Sequence, residues 1–370
     1  MDGVFPVGRF LGSRTPEAGL ASGIARFGSW VSERLGVGSL FAGFHAAACV
    51  LRSLRGRLDW RGHPRQRGVF AAKYLVRTLG MPRQHASYLT FVYGHRPLDA
   101  YRSRDPRLLE RHFHRYMHAQ WKRRTRLQSI RQHYRFALTE LPSDLFEAIY
   151  VHGQATLGHL SLKDGSQLKL CLKPPIFLGC EGELCVQLSD MRDGPLYRIV
   201  LSVIDEHPTV AIGCLQGPDG AEAKDIVRDL TRNMHGMRPK QLMLSLVYAF
   251  ARHYGIERIL AVGNAAHPLR RARSLFQADY DAFWLEQKGH DAGDGWFVLP
   301  GIPTRKTEAD VPSQHRSAFR RRETLRIEAE RLLVEALEVL PPQRARTARA
   351  QPLESLEPSP YERLDASWIP

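Results

Sequence analysis

From residue 158 onward, apolar side chains fall at every second position. The stretches 158–162, 168–172, 184–188, 196–204 and 209–215 each read as a strand. Asp164-Gly165 supplies a hairpin turn between the first two, and Asp205-Glu-His-Pro208 joins the last two. Consecutive strands with short turns usually pair, so five strands are expected in an antiparallel meander. The period then lengthens. Residues 219–234 and 239–254 have helical spacing, the second with Pro239 in its first turn and Gly255 just past its end. Residues 258–263 predict a strand, 267–277 a helix, and 296–299 a last short strand, with an aromatic-rich segment at 280–289. The expected class is α+β, an antiparallel-rich mixed sheet carrying a helix–strand–helix unit.

The region before the meander has a different pattern. Asp105-Pro106 has the form of a helix start, and Leu108, Leu109, Phe113, Tyr116, Met117 and Trp121 recur at three- and four-residue steps. This predicts an amphipathic helix with a basic outer face. The apolar run at 40–51 is too short to span a bilayer and reads as a buried or interfacial helix. At the other end, 324–340 reads as a solvated helix and 341–370 as a disordered tail.

Charge sharpens this division. The 370 residues carry 53 Lys+Arg against 38 Asp+Glu, a formal net charge of +15. Nine basic residues and one acidic lie in 51–83, and eleven basic and two acidic in 101–135, whereas 136–300 is mildly acidic. The expected organisation is a basic, mainly helical region over 1–135, an α+β core over 136–300, a basic segment and helix over 301–340, and the tail. The basic stretches at 51–83 and 101–135 suit an anionic surface, either phospholipid or lipopolysaccharide or nucleic acid. No segment has the form of a secretory signal, so the expected location is cytoplasmic, with peripheral attachment to the inner membrane open to the basic region. Five cysteines without zinc spacing read as reduced, partly buried thiols. His114 and His118 would share a helical face but lack a third ligand, so no metal is expected. The absence of a nucleophile elbow, a Walker loop and a dinucleotide fingerprint argues against hydrolase, ATPase and dehydrogenase readings.

Three blocks stand out: Gly213-Cys-Leu-Gln-Gly217, Leu230-Thr-Arg-Asn-Met-His-Gly-Met-Arg-Pro-Lys240 and Tyr280-Asp-Ala-Phe-Trp284, followed by a basic patch near His315–Arg322. In words and order they resemble the signature blocks of the VirK/YbjX family, over roughly residues 60–325. That resemblance implies a bacterial protein linked to virulence, surface-protein presentation and stress response, and brings no catalytic residues with it. A second resemblance concerns fold alone. The meander, the helix from 239, the strand at 258–263 and the helix after Asn264 look like the core of GNAT-type acyltransferases. It implies an acyl-CoA co-substrate at the amino end of the central helix, transferring its acyl group to an amine.

The candidate residues follow from the second resemblance and from the chemistry of the side chains themselves. Gln216, Gly217, Gly236, Met237, Arg238 and Lys240 are expected to line the acyl-CoA site. His235 is a candidate general base or a helix cap, Asn264 a substrate-orienting residue or an N-cap, and Tyr280 a thiolate-protonating phenol or a packed aromatic. Asp281, Trp284 and Glu286 are candidate contacts for a cationic substrate. The acyltransferase expectation requires these pieces to meet in one place. The competing expectation is a non-catalytic protein that binds an anionic surface through its basic region.

Overall fold

The computed structural model describes residues 46–176, 180–270 and 279–338. The expected helix at 267–277 and the expected tail therefore lie largely or wholly outside the described residues. After a helical stretch at 46–53 come three helices, α1 (Pro64–Leu79), α2 (Pro82–Gly94) and α3 (Arg96–Arg104), each with a proline in its first turn. There the missing proline N–H costs nothing, because the first helical N–H groups have no intrahelical partner. After a strap over 105–122 come α4 (Arg123–Glu140), the single turn α5 (Ser143–Phe146) and a π-type turn at Glu147–Val151.

The strands are β1 (Ala155–Ser161), β2 (Gln167–Lys173), β3 (Leu184–Ser189), β4 (Pro195–Ile204), β5 (Thr209–Gln216), β6 (Arg258–Val262), β7 (His290–Gly293) and β8 (Trp296–Leu299). They form one sheet in the order β1-β2-β3-β4-β5-β6-β8-β7. Every neighbouring pair is antiparallel except β5 with β6. The five-strand meander stands as expected, and the class is α+β. The edge strand β1 alternates between buried and exposed, whereas β3 and β5 are buried along almost their whole length. The central strands therefore have both faces covered.

Between β5 and β6 run α6 (Ala223–Asn233) and α7 (Pro239–His253). After β6 comes α8 (Tyr280–Glu286), and after β8 the long helix α9 (Arg316–Glu338). Helix α7 packs on β4 and β5, and α9 lies along α7 and β1. One buried cluster runs from Cys49 in the helical stretch 46–53 to Leu337 in α9. The charge step near 136–142 falls on the last turn of α4 and the link to α5, and the core continues across it.

Two expectations fail. The segment after Asp105 is not an amphipathic helix but two 3₁₀ turns, Pro106–Leu109 and Arg111–Phe113, and then irregular chain. Asp105 does cap, accepting from Arg107 N at 3.2 Å. However, Glu110, Arg111 and His112 are buried along with Leu108, Leu109 and Phe113. A segment buried on all sides has no outer face to present. The guanidinium groups expected to point outward instead make internal contacts: Arg107 with Asp105, Arg102 with Asp99, and Arg111 with Glu183. The second correction concerns 324–340. Helix α9 starts eight residues earlier than expected and is not solvated all round, since Leu325, Ala329, Leu332, Leu333, Ala336 and Leu337 are buried. Leu332 packs so closely on Gly158 of β1 that a Cβ there would lie 2.7 Å from it.

Candidate functional site

The parallel strands β5 and β6 are hydrogen-bonded neighbours only from Thr209–Arg258 to Ile212–Ala261. The register of β4 with β5 shifts at the same level, Val200 facing Cys214 and Leu201 facing Ile212, which leaves Gly213 as a bulge. A Cβ at Gly213 would sit 2.0 Å from the Glu181 carbonyl oxygen, so only glycine lets the bulge lie against that loop. Beyond the bulge, β5 and β6 part. In sheets with parallel strands, the carboxyl ends are where ligand crevices form.

Helix α8 bridges this parting, bonded to one backbone group of each strand. Leu215 N–H donates to Tyr280 Oη at 3.0 Å, and Trp284 Nε1–H donates to the Val262 carbonyl at 2.9 Å. The two rings stack, 5.9 Å apart with planes 14° from parallel. Asn264 fixes the start of the helix. It donates through Nδ2 to Asp279 at 2.9 Å, accepts from Tyr280 N at 2.8 Å, and donates its own N–H to Asp281 at 2.7 Å. Asp279 is the N-cap of α8, accepting from Ala282 N.

Below Tyr280 lies a buried group of side chains that the sequence pattern did not mark. Tyr280 Oη donates to Cys214 Sγ at 3.6 Å, and the His267 ring lies 5.4 Å from the Tyr280 ring. Leu269 N–H donates to His267 Nδ1 at 3.2 Å, which places the ring proton on Nε2, 3.3 Å from Glu181 Oε1. Burial pushes the Tyr280 phenol well above its ordinary pKa, and the Cys214 thiol and Glu181 carboxylate add to the effect. Burial pushes the Cys214 thiol up as well, with Glu181 beside it. Tyr280 is thus a neutral phenol and Cys214 a protonated thiol rather than an activated nucleophile. The linear signals are Cys214 within the 213–217 block, Cys180-Glu-Gly-Glu183, two carboxylates set directly before the fully buried strand β3, and His267-Pro268.

The strap crosses this region. Met117 N donates to the Cys180 carbonyl at 2.6 Å and Ala119 N to the Ala266 carbonyl at 2.7 Å. His118 is not a metal ligand here: it stacks on Trp296 at 5.2 Å, with Nε2 2.6 Å from the Asp294 carbonyl. Among the described residues no group of three His, Cys, Asp or Glu could hold a metal ion. All five cysteines are buried thiols.

The remaining expected residues sit around α8 and α7. Arg238 pairs with Glu286, and Lys240 Nζ lies 5.5 Å from the centre of the Phe283 ring. Burial, with Arg238 adding to it, lowers the Lys240 pKa. His235 and Gly236 take left-handed backbone angles, φ 56° and 85°, and Gly236 N–H closes the end of α6 on the Thr231 carbonyl at 2.8 Å. Burial and the charges of Arg321 and Lys163 lower the pKa of His235. Met237 is buried. Gln216 ends β5 opposite Arg198, and Gly217 lies against Tyr197, whose ring a Cβ would meet at 2.7 Å. The structure therefore brings Tyr280, Asn264, Asp281, Trp284, Glu286, Arg238 and Lys240 into one neighbourhood. His235 lies at the far side of the 234–238 turn, toward Arg321. Asp281 and Trp284 hold backbone groups, and Trp284 is fully buried. The sequence blocks singled out above thus meet: the 213–217 strand end through Tyr280, the 230–240 turn through Glu286 and Phe283, and the basic patch through Arg321.

No helix among the described residues is long and apolar enough to cross a membrane. No solved structure matches the chain. Among curated proteins, it is 28% identical over 263 residues to the uncharacterized protein YbjX of Escherichia coli K12, covering 69% of this chain and 80% of that protein. It is 25% identical over 198 residues to an uncharacterized protein of Haemophilus influenzae, covering 53% of this chain and 66% of that one. A family model described as "Protein of unknown function (DUF535)" matches residues 64–330. With that match spanning most of the length, and YbjX among its relatives, the chain belongs to the DUF535 (VirK/YbjX) family.

Proposed function

We propose that this protein is an acyl-CoA-dependent N-acyltransferase whose thioester lies at the parting of β5 and β6. The observation that carries the reading is the Gly213 bulge and strand separation, closed by a phenol that keeps its proton. Acyl-CoA, as co-substrate, would supply the thioester carbonyl and a thiolate leaving group. Tyr280 holds a proton at Oη within the gap. The Glu181 carboxylate beside it, faced by His267 Nε2–H, is placed to take the proton an attacking amine releases. The amino end of α7 offers little backbone to phosphate. Pro239 has no N–H, and the N–H groups of Gln241 and Leu242 turn back to the Arg238 carbonyl. Phosphate binding there rests on side-chain charge, from Lys240 and from the basic rim of Lys163 and Arg321 around His235. The test is a thermal-shift titration with acetyl-CoA and longer acyl-CoAs. The wild-type chain should be stabilised, and Lys240→Ala and Arg238→Ala should lose most of the shift. An unchanged melting temperature with every acyl-CoA would end this reading.

A second reading, binding to an anionic surface, is favoured by a separate observation. No Asp or Glu occurs from Trp60 to Leu98, while Arg61, Arg65, Arg67, Lys73 and Arg83 are exposed there. In 101–135, by contrast, most of the basic side chains are buried or half-buried, and only Lys122, Arg123, Arg124 and Arg135 are exposed. The reading therefore rests mainly on the first stretch. Steeply salt-dependent association with anionic vesicles or nucleic acid is its expected signature.

A further inference from the structure

Helix α1 is amphipathic in the wrong sense for a solvated helix. Its core side holds Tyr74 and Thr78, both buried. The opposite side carries Val69, Ala72, Val76 and Leu79, spaced at three, four and three residues. Val69 is 51%, Val76 68% and Leu79 77% exposed, and Leu75 beside them is 37% exposed. Surface helices ordinarily place polar residues there. Single exposed apolar residues need no explanation, but four on one stripe of one helix do.

The charges around the stripe select its occupant. Arg65 precedes it, Lys73 flanks it and Arg83 follows, all exposed. The helix has no acidic residue, and the nearest acids in sequence are Asp59, paired with Arg57, and Asp99, paired with Arg102. Two hollows, of about 610 and 320 Å³, lie between α2 and α4. Arg83, Arg131 and Arg135 are among their lining residues and no carboxylate is. The same face of a second copy would set these cations against each other with no acidic residue on the helix to neutralise them. An anionic bilayer matches both features, apolar below the headgroups and negative at them.

We infer that α1 is an in-plane membrane-docking helix, its Val69–Ala72–Val76–Leu79 stripe entering the headgroup boundary of an anionic lipid surface while Arg65, Lys73 and Arg83 contact phosphate. This deepens the second reading above by naming the lipid and the face. The Tyr74 hydroxyl, held between Ser53 Oγ at 2.6 Å and His85 Nε2 at 2.7 Å, ties the helix to the domain.

The test uses the full chain in co-sedimentation with phosphatidylglycerol/phosphatidylcholine vesicles, with pure phosphatidylcholine vesicles and a DNA duplex as the other arms. Val76→Ser/Leu79→Ser should weaken binding to the anionic vesicles by at least about tenfold at unchanged melting temperature. It should leave any DNA binding as it was. In a parallel sample, Val76→Cys carrying an environment-sensitive fluorophore should be exposed to solvent alone and shift to the blue on adding anionic vesicles. Four outcomes overturn the inference. If the serine variant binds vesicles as tightly as the wild type, the contact is charge alone, and the second reading survives without α1. If the fluorophore is already shielded without lipid, another part of the chain or a second copy covers the stripe. Binding to DNA but not to vesicles would give the basic face to nucleic acid. Binding to neither would remove the second reading as well.

Discussion

Acidification should destabilise this protein well above the range where carboxylates titrate, through two histidines buried as neutral bases. Burial, with the nearby charge of Arg111, lowers His133 to a pKa of about 3. Burial lowers His85 to about 4, although Glu110 works against it. In the unfolded chain both return to about 6.5. A folded pKa below the unfolded one gives stability that is fully present above about 6.5 and is lost as the pH falls toward the folded value. At pH 5 an unfolded histidine is almost wholly protonated, while these two remain neutral in the fold. Each then accounts for about 2 kcal/mol, so pH 5 should cost about 4 kcal/mol relative to pH 8. The bonds give the reason. His133 Nδ1 accepts the Val203 N–H at 3.1 Å and its Nε2 lies 2.9 Å from Tyr150 Oη, so a second ring proton would face a backbone donor. His85 lies between Tyr74 Oη at 2.7 Å and His112 Nε2 at 3.2 Å. His112, lowered well below its ordinary value by burial, pulls in the same direction. The assay is urea unfolding at pH 8, 7, 6 and 5 at constant ionic strength. His133→Gln should be less stable at pH 8 and show about 2 kcal/mol less loss by pH 5. Glu110 does not confuse the reading. Burial would raise it, but His114 and Arg57 hold it near 2, so its contribution goes only below about pH 4.5. A stability constant to within about 1 kcal/mol between pH 7 and 5 would refute the reasoning.

Other outcomes follow from single contacts. Arg111→Met should cost about 3–5 kcal/mol in urea unfolding, because Glu183, 0% exposed, loses the guanidinium it faces; Arg111→Met/Glu183→Leu should recover much of that. A double variant no more stable than the single one would show that the pair holds the fold by more than mutual neutralisation. Gly213→Ala should cost about 2 kcal/mol, since its methyl group meets the Glu181 carbonyl, and should weaken any acyl-CoA shift by moving the bulge.

The strands were legible because one-sided burial writes a period of two, as in β1, and because Asp164-Gly165 marks its own turn. Helices α6 and α7 showed through their spacing and the Pro239 and Gly255 boundaries. The strap was misread because its apolar positions mimic a helical stripe, while the polar residues between them are buried by partners far away in sequence. Arg111 finds Glu183 seventy-two residues later, and no local pattern encodes that. Strand β7 is exposed at every residue and pairs only with β8, so hydrophobicity could not reveal it. At the site, Tyr280 was visible as a member of an unusual block and Asn264 from its place just after the 258–263 strand. Glu181 and His267 were not, because they come from two separate loops and meet Cys214, which lay unassigned within the 213–217 block, only in the fold. The outward stripe of α1 had the spacing of a core face, and only the placement of Tyr74 and Thr78 shows which side faces inward.

The parting of β5 and β6 as a thioester site is tested most directly by amide hydrogen exchange of the full chain with and without saturating acetyl-CoA. Slowed exchange confined to 213–217, 236–241 and 280–286 is the expected result. Exchange unchanged in all three segments, or protection found only elsewhere, would contradict it.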